Sequence, residues 1–197
     1  MYGGEGALIM VFDHLAFADG LGTGWWEGQR ATWQARGAFS PIGPKGAFQH
    51  QLPGNVEGAV SSLYAESAHE RGWLFLDRAL THAEYEALRT SVPTWITEDR
   101  TYTDVLDAYG PPSVLFGGSS PRYPKTIGYF TAQPPDPPMF FHLWNGVEPG
   151  TEPPWPPRYD EAILLAVRQG AGPFHDSFAF TPQGRRLRPE PHRSRSA

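Results

Sequence analysis

The chain contains no cysteine, so disulfides and thiolate-held metals are excluded at the outset. A reducing compartment, and with it a cytoplasmic setting, is the simplest expectation for such a chain. Lysine is nearly absent too: Lys45 and Lys125 stand against fourteen arginines, a codon signature that points to a bacterium with a GC-rich genome. No G-x-x-x-x-G-K-[ST], no G-x-G-x-x-G after a strand, no G-x-S-x-G and no H-E-x-x-H occurs. The familiar routes to nucleotide binding, acyl transfer and zinc hydrolysis therefore have no footing here. Long apolar runs are missing as well. Residues 7–12 are apolar, but Asp13 and His14 follow at once and no basic region precedes them, so neither a signal peptide nor a membrane span is expected. Met10 lies inside that run, and a start at Met10 instead of Met1 would shorten it.

What is present is enough for a folded body. A chain of 197 residues suits one domain or two small ones and can bury roughly 70% of its unfolded surface. Seven Trp and twelve Phe supply large core side chains. Glycine and proline make up about a fifth of the residues, below the level that signals disorder but enough for long, shaped loops. Charge is uneven. Residues 185–197 carry five Arg and one Glu, a balance of +4, which leaves −9 on residues 1–184. The expectation is one domain over residues 1–184 and a basic, disordered tail over 185–197. An acidic body lacks the clustered cations that phosphate backbones need, so no nucleic acid is expected as a partner.

The region from 110 to 181 alternates short apolar runs with turn clusters. The runs are 114–116, 126–131, 139–144, 163–167 and 178–181, and Gly, Pro, Asn and Ser punctuate them. Such a pattern reads as antiparallel strands joined by loops. Three helices are expected before it. Asn55 caps the first, in which Val56, Val60, Leu63, Tyr64 and Ser67 share one side and Gly72 gives the stop. Thr81 and Glu84 form a capping box for the second, which buries Tyr85 and Leu88 and ends before Pro93. The third spans 103–109 and stops at Gly110. In the first fifty residues, 7–12 reads as a strand, as do 31–39 and 47–52 with a hairpin loop at 41–46. A buried strand at 73–76 follows the first helix. Strands in blocks around central helices favour an α+β fold with an antiparallel sheet largely from the C-terminal half.

Candidate chemistry is sparse. His142 lies in Phe140-Phe141-His142-Leu143-Trp144, where alternation puts it on one face with Phe140 and Trp144. Tyr123, Trp144 and Trp155 sit in or beside proline-rich loops, and rigidly held aromatics serve as anchors for a partner or platforms for a sugar. Prolines on both sides of Trp155 pre-order its backbone, which lowers the entropy lost on binding. Asp13-His14-Leu15-Ala16 resembles the opening strand of vicinal-oxygen-chelate metalloenzymes, in which a histidine near the start is a metal ligand. No later His and Glu pair matches that family's pattern, so neither a metal nor another cofactor is expected. Glu66, Glu70, Glu84, Glu86, Asp104 and Asp107 read as solvated helix faces.

Two functional expectations follow. The first is a non-enzymatic binder of another protein, with the immunity (toxin-neutralising) type as its most specific form, whose acidic body steers towards a basic toxin domain. Its contact residues would be Tyr123, His142, Trp144 and Trp155. The alternative is a small-molecule or carbohydrate-processing enzyme with a site near His142, Trp144 and Tyr123. A cavity of about 300 Å³ or more lined by His142 favours the alternative.

Overall fold

The computed structural model describes residues 4–22, 24–147, 150–152 and 156–189. Its centre is a five-stranded antiparallel meander: β1 (Val114–Gly117), β2 (Lys125–Tyr129), β3 (Met139–Trp144), β4 (Ile163–Gln169) and β5 (Phe178–Phe180). Sequential antiparallel neighbours need only loops to join them, and the turn-rich segments between the apolar runs supply those loops. The fold is α+β, and the whole sheet comes from the C-terminal half. Seven α-helices accompany it among the described residues.

Alternation along β3 divides the molecule. Phe141 and Leu143 join Ile127, Tyr129 and Leu164 in one core beneath α5 (His82–Trp95) and α6 (Tyr102–Tyr109), which contribute Tyr85, Leu88, Val92 and Val105. Phe140, His142 and Trp144 face the other way, towards α4 (Glu57–Glu70). Residues 59–69 of α4 are all buried, because α1 (Gly4–Ala18), α2 (Trp25–Ala35) and α3 (Pro44–Gln49) lie over its outer side. Gly72, at φ 72°, ends α4 in a Schellman turn: its N–H bonds to His69 O and the Trp73 N–H to Ala68 O.

A bulge interrupts the β3–β4 pairing. His142 pairs with Ala166 but Leu143 pairs with Leu164, so Leu165 is an extra residue on β4. Thr181 fixes that kink by donating its N–H to Leu165 O at 3.0 Å and its hydroxyl to Leu164 O at 2.8 Å. Thr181 also caps α7 (Pro182–Leu187). Gly184 is required there, since a Cβ would lie 1.8 Å from the Leu165 carbonyl oxygen.

Several expectations are corrected. Residues 7–12 belong to helix α1, which buries Phe12 and Ala16 at i, i+4; an unbroken apolar run carries no period to separate the two structures. His14 is exposed on that helix and bonds to Met10 O, so the likeness to a metal-binding strand ends there. Residues 31–35 are helical because Gln29 and Trp33 turn inward four residues apart, and Trp33 packs edge-on against Tyr64. The expected hairpin is a single bridge, Ser40 to Gly43, followed by α3. Residues 73–76 form no strand, and Phe75 is 89% exposed. Helix α5 runs past Pro93 to Trp95, since a proline this close to the end removes little of the ladder. Helix α6 begins one residue before the expected start, behind a Thr101–Asp104 capping box. The basic segment starts as structure rather than tail. Arg185 donates to Phe180 O and Arg188 to Gln51, while residues 190–197 lie outside the described residues.

Candidate functional site

A cavity of about 480 Å³ lies between the first turn of α4 and the ends of β1, β2 and β3. Leu52, Pro53, Val56, Phe116, Trp144 and Leu165 give it apolar walls; Asn55, Ser61, Thr126 and His142 give it polar points. Pockets of this size with few polar groups are typical of small-molecule sites. The fold explains its position. Gly58 lets α4 approach the sheet, because a Cβ there would sit 3.2 Å from Phe116 O and 3.4 Å from Thr126 Oγ1. The bulge brings Leu165 to the same face as Ala166, and so into the cavity wall.

His142 is 2% exposed. Its Nδ1 lies 3.1 Å from Thr126 Oγ1, while its Nε2 has no hydrogen-bond partner among the described residues. Phe178 stacks on the ring at 5.7 Å between centroids and Phe48 meets it edge-on at 5.8 Å. Burial first, and the nearby positive Arg168 second, pull its pKa well below the usual histidine value. The imidazole is therefore neutral at physiological pH. A base with so low a pKa is poorly matched to proton abstraction at neutral pH, so the group serves hydrogen bonding better than catalysis.

Behind His142 lies a buried charged cluster. Arg168, with no exposed surface, donates to Glu66 Oε2 at 2.8 Å and to Ser62 Oγ at 3.0 Å. Arg36, from the end of α2, donates to Glu66 Oε1 at 2.6 Å. The Arg168 guanidinium lies over the Phe140 ring, 4.7 Å from its centroid. Glu66 thus corrects its reading as a solvated side chain: it is 2% exposed and binds two arginines. Helical periodicity had placed position 66 outside the apolar stripe, and only the cover of α2 and the reach of β4 bury it.

Of the residues singled out from the sequence, His142 and Trp144 meet in this cavity. Trp144 is half-buried; a Cβ on Gly54 would lie 3.0 Å from its Nε1, and Gly146 lies under its six-membered ring. Tyr123 is 60% exposed on the loop before β2 and does not line the cavity, although its neighbour Pro124 does. Trp155 lies outside the described residues. Sequence reasoning missed Thr126, Gly58, Leu165, Arg168 and Glu66. The unusual glycine inside the first turn of α4 was the one signal that marked a close approach.

Among the described residues no group of three His, Asp or Glu side chains is placed to hold a metal ion, and no helix is long and apolar enough to cross a membrane. No protein-family model, no curated protein and no solved structure matches the chain.

Proposed function

We propose that this protein binds a small, mostly apolar molecule between α4 and the sheet. One observation carries the reading: a cavity of about 480 Å³ with mostly apolar walls and a few polar side chains, His142 among them. The low pKa of the imidazole favours recognition over general-base catalysis, so the carbohydrate-processing enzyme is the weaker form of this reading. The absence of cysteine supports a cytoplasmic setting.

The test is a fragment screen by thermal shift on the wild type and on Ser61→Leu, which fills the cavity from α4 with a good helix former. A ligand at about one hundred times its Kd adds about 2.7 kcal/mol of stability. Hits should raise the Tm of the wild type and not that of the variant. Hits that act equally on both proteins would place binding elsewhere and end the proposal.

A second reading, recognition of another protein by an immunity-type surface, has its own support in exposed apolar side chains. Met10, Val11 and Phe17 on α1 are 62%, 55% and 85% exposed on an acidic chain. Its test is a pull-down from the native host with wild type and Phe17→Ser; equal capture by both would count against it.

A further inference from the structure

We infer that α1 is a dimerisation helix, whose outer face packs in parallel against the same face of a second copy of this chain. The inference stands apart from the cavity and does not depend on it.

Helix α1 is apolar on nearly every side. Phe12 and Ala16 are buried against the body, and Glu5, its first acidic residue, accepts the Tyr64 hydroxyl at 3.0 Å. On the outer side Gly6, Met10, Asp13, His14 and Phe17 recur at i, i+4, i+7, i+8 and i+11, and all five are exposed. A helix that is apolar all round belongs where both sides are covered, and one copy of the chain covers only the inner side.

Three observations select a second copy as the cover. The first is area. Met10, Val11 and Phe17 leave on the order of 400 Å² of apolar surface bare, about the apolar half of the roughly 800 Å² that each partner of a stable interface buries. The second is Gly6. Glycine is a poor helix former, and nothing in the chain demands it at this position: its φ is not positive, and a Cβ there would meet no atom within 4 Å. On the outer face its missing side chain lets the backbone of a second helix come close.

The third is polarity, and it also sets the direction. Asp13 and His14 lie on opposite flanks of the line from Met10 to Phe17. His14 donates from Nδ1 to Met10 O at 2.6 Å, which leaves Nε2 for a further bond, and Asp13 has no partner among the described residues. In a parallel pair the left flank of one helix lies beside the right flank of the other, so Asp13 of each copy meets His14 of the other. An antiparallel pair sets each flank against its own kind, and Asp13 would face Asp13. The parallel pair also stacks Met10 on Met10 and Phe17 on Phe17 across the two-fold axis. A lipid surface fits less well, since α1 carries no Lys or Arg and the chain is acidic.

The experiment is sedimentation velocity on the full chain, with cross-linking to fix the geometry. The wild type should be dimeric at micromolar concentration, where interfaces of this size hold. Gly6→Gln adds bulk that the single copy has room for; it should weaken the dimer roughly tenfold or more and leave the circular dichroism unchanged. Asp13→His and His14→Asp, each alone, put like groups together and should weaken it about fivefold, while the two combined should restore it. Because the chain has no cysteine, single cysteines report cleanly. Met10→Cys and Phe17→Cys should each form a disulfide with its own copy under mild oxidation. A cross-link between the two variants, with none formed by either alone, would overturn the parallel pair. A chain that stays monomeric at hundreds of micromolar, or a dimer indifferent to Gly6→Gln, would overturn the inference altogether. So would a monomer that captures a host protein through Phe17, which would assign the face to a foreign partner. None of these results bears on the cavity.

Discussion

Beneath α5 and α6, the sheet presents Ile127, Tyr129, Phe141, Leu143 and Leu164 to Tyr85, Leu88, Val92 and Val105. Tyr129, Phe141, Tyr109 and Trp95 form a chain of ring contacts there, and the buried cation on this side, Lys125, sits at the margin with two carbonyl partners. The α4 face is different. It holds Arg168 and Glu66 deep inside, His69 and His142 each with a ring nitrogen unpartnered among the described residues, and the cavity of about 480 Å³. The second cleft, about 290 Å³, lies where α5 passes β4 and β5 and lacks a buried histidine. The contrast separates two uses of one sheet: one face is packed for stability, and the other accepts desolvated polar groups that apolar packing would not need.

Four measurements sharpen or break that contrast. Glu66→Gln leaves Arg168 buried without its carboxylate and should cost about 3–5 kcal/mol in urea unfolding. Glu66→Leu combined with Arg168→Met should recover most of that loss, because a well-packed apolar pair replaces a buried ion pair at little cost. A single variant that stays at wild-type stability would show that the cluster is wet and the α4 face ordinary.

On the opposite face, Phe141→Leu should lower stability by about 1–3 kcal/mol, as a core substitution does, and leave the affinity of any cavity ligand unchanged. An altered affinity would mean that the two faces are coupled through β3.

The third measurement follows pH. Burial holds His142 and His69 below the usual histidine pKa, so the native protein resists protons that the unfolded chain accepts near pH 6.5. Stability is fully present above about 6.5 and falls as the pH drops, by up to about 1.4 kcal/mol per pH unit for each histidine. Glu5 and Glu70, raised by burial, act with the opposite sign over the carboxylate range, so the informative quantity is a difference. Wild type minus His142→Phe should decline with falling pH below 6.5 and be flat above it. A difference that does not change with pH would show that His142 is protonated as readily in the native state as in the unfolded chain.

The smallest effect belongs to the helix ends. Thr81 accepts the Glu84 N–H at 3.2 Å, and Glu84 returns the bond to the Thr81 N–H at 2.7 Å. Thr81→Ala should cost about 1 kcal/mol by chemical denaturation and leave both faces of the sheet unchanged.

The legibility of the chain divides along the same line. The Thr81–Glu84 box, the Gly72 stop, the Gly110 stop and the five strands of the meander were readable, because each rests on contacts a few residues apart or on a period of two. The faces of β3 were readable for the same reason, and so His142 and Trp144 were placed together. The first fifty residues were not. Residues 7–12 and 31–39 carry short apolar signals that helix and strand share, and the burial of Phe12 and Trp33 against Tyr64 of α4 decides between them.

By itself, then, the sequence determined the local elements of the second half, the alternation that sorts their side chains, and the exclusion of cysteine chemistry. Tertiary structure alone decided the site. Arg168 and Glu66 are 102 positions apart, and Thr126 and His142 belong to different strands, so no local pattern can pair them. The bulge at Leu165 and the close approach at Gly58 shape the cavity, and each depends on a partner distant in the chain. The physical reason is burial: a polar residue reads as solvated until other elements cover it, and only the completed packing shows which polar groups have been left without water.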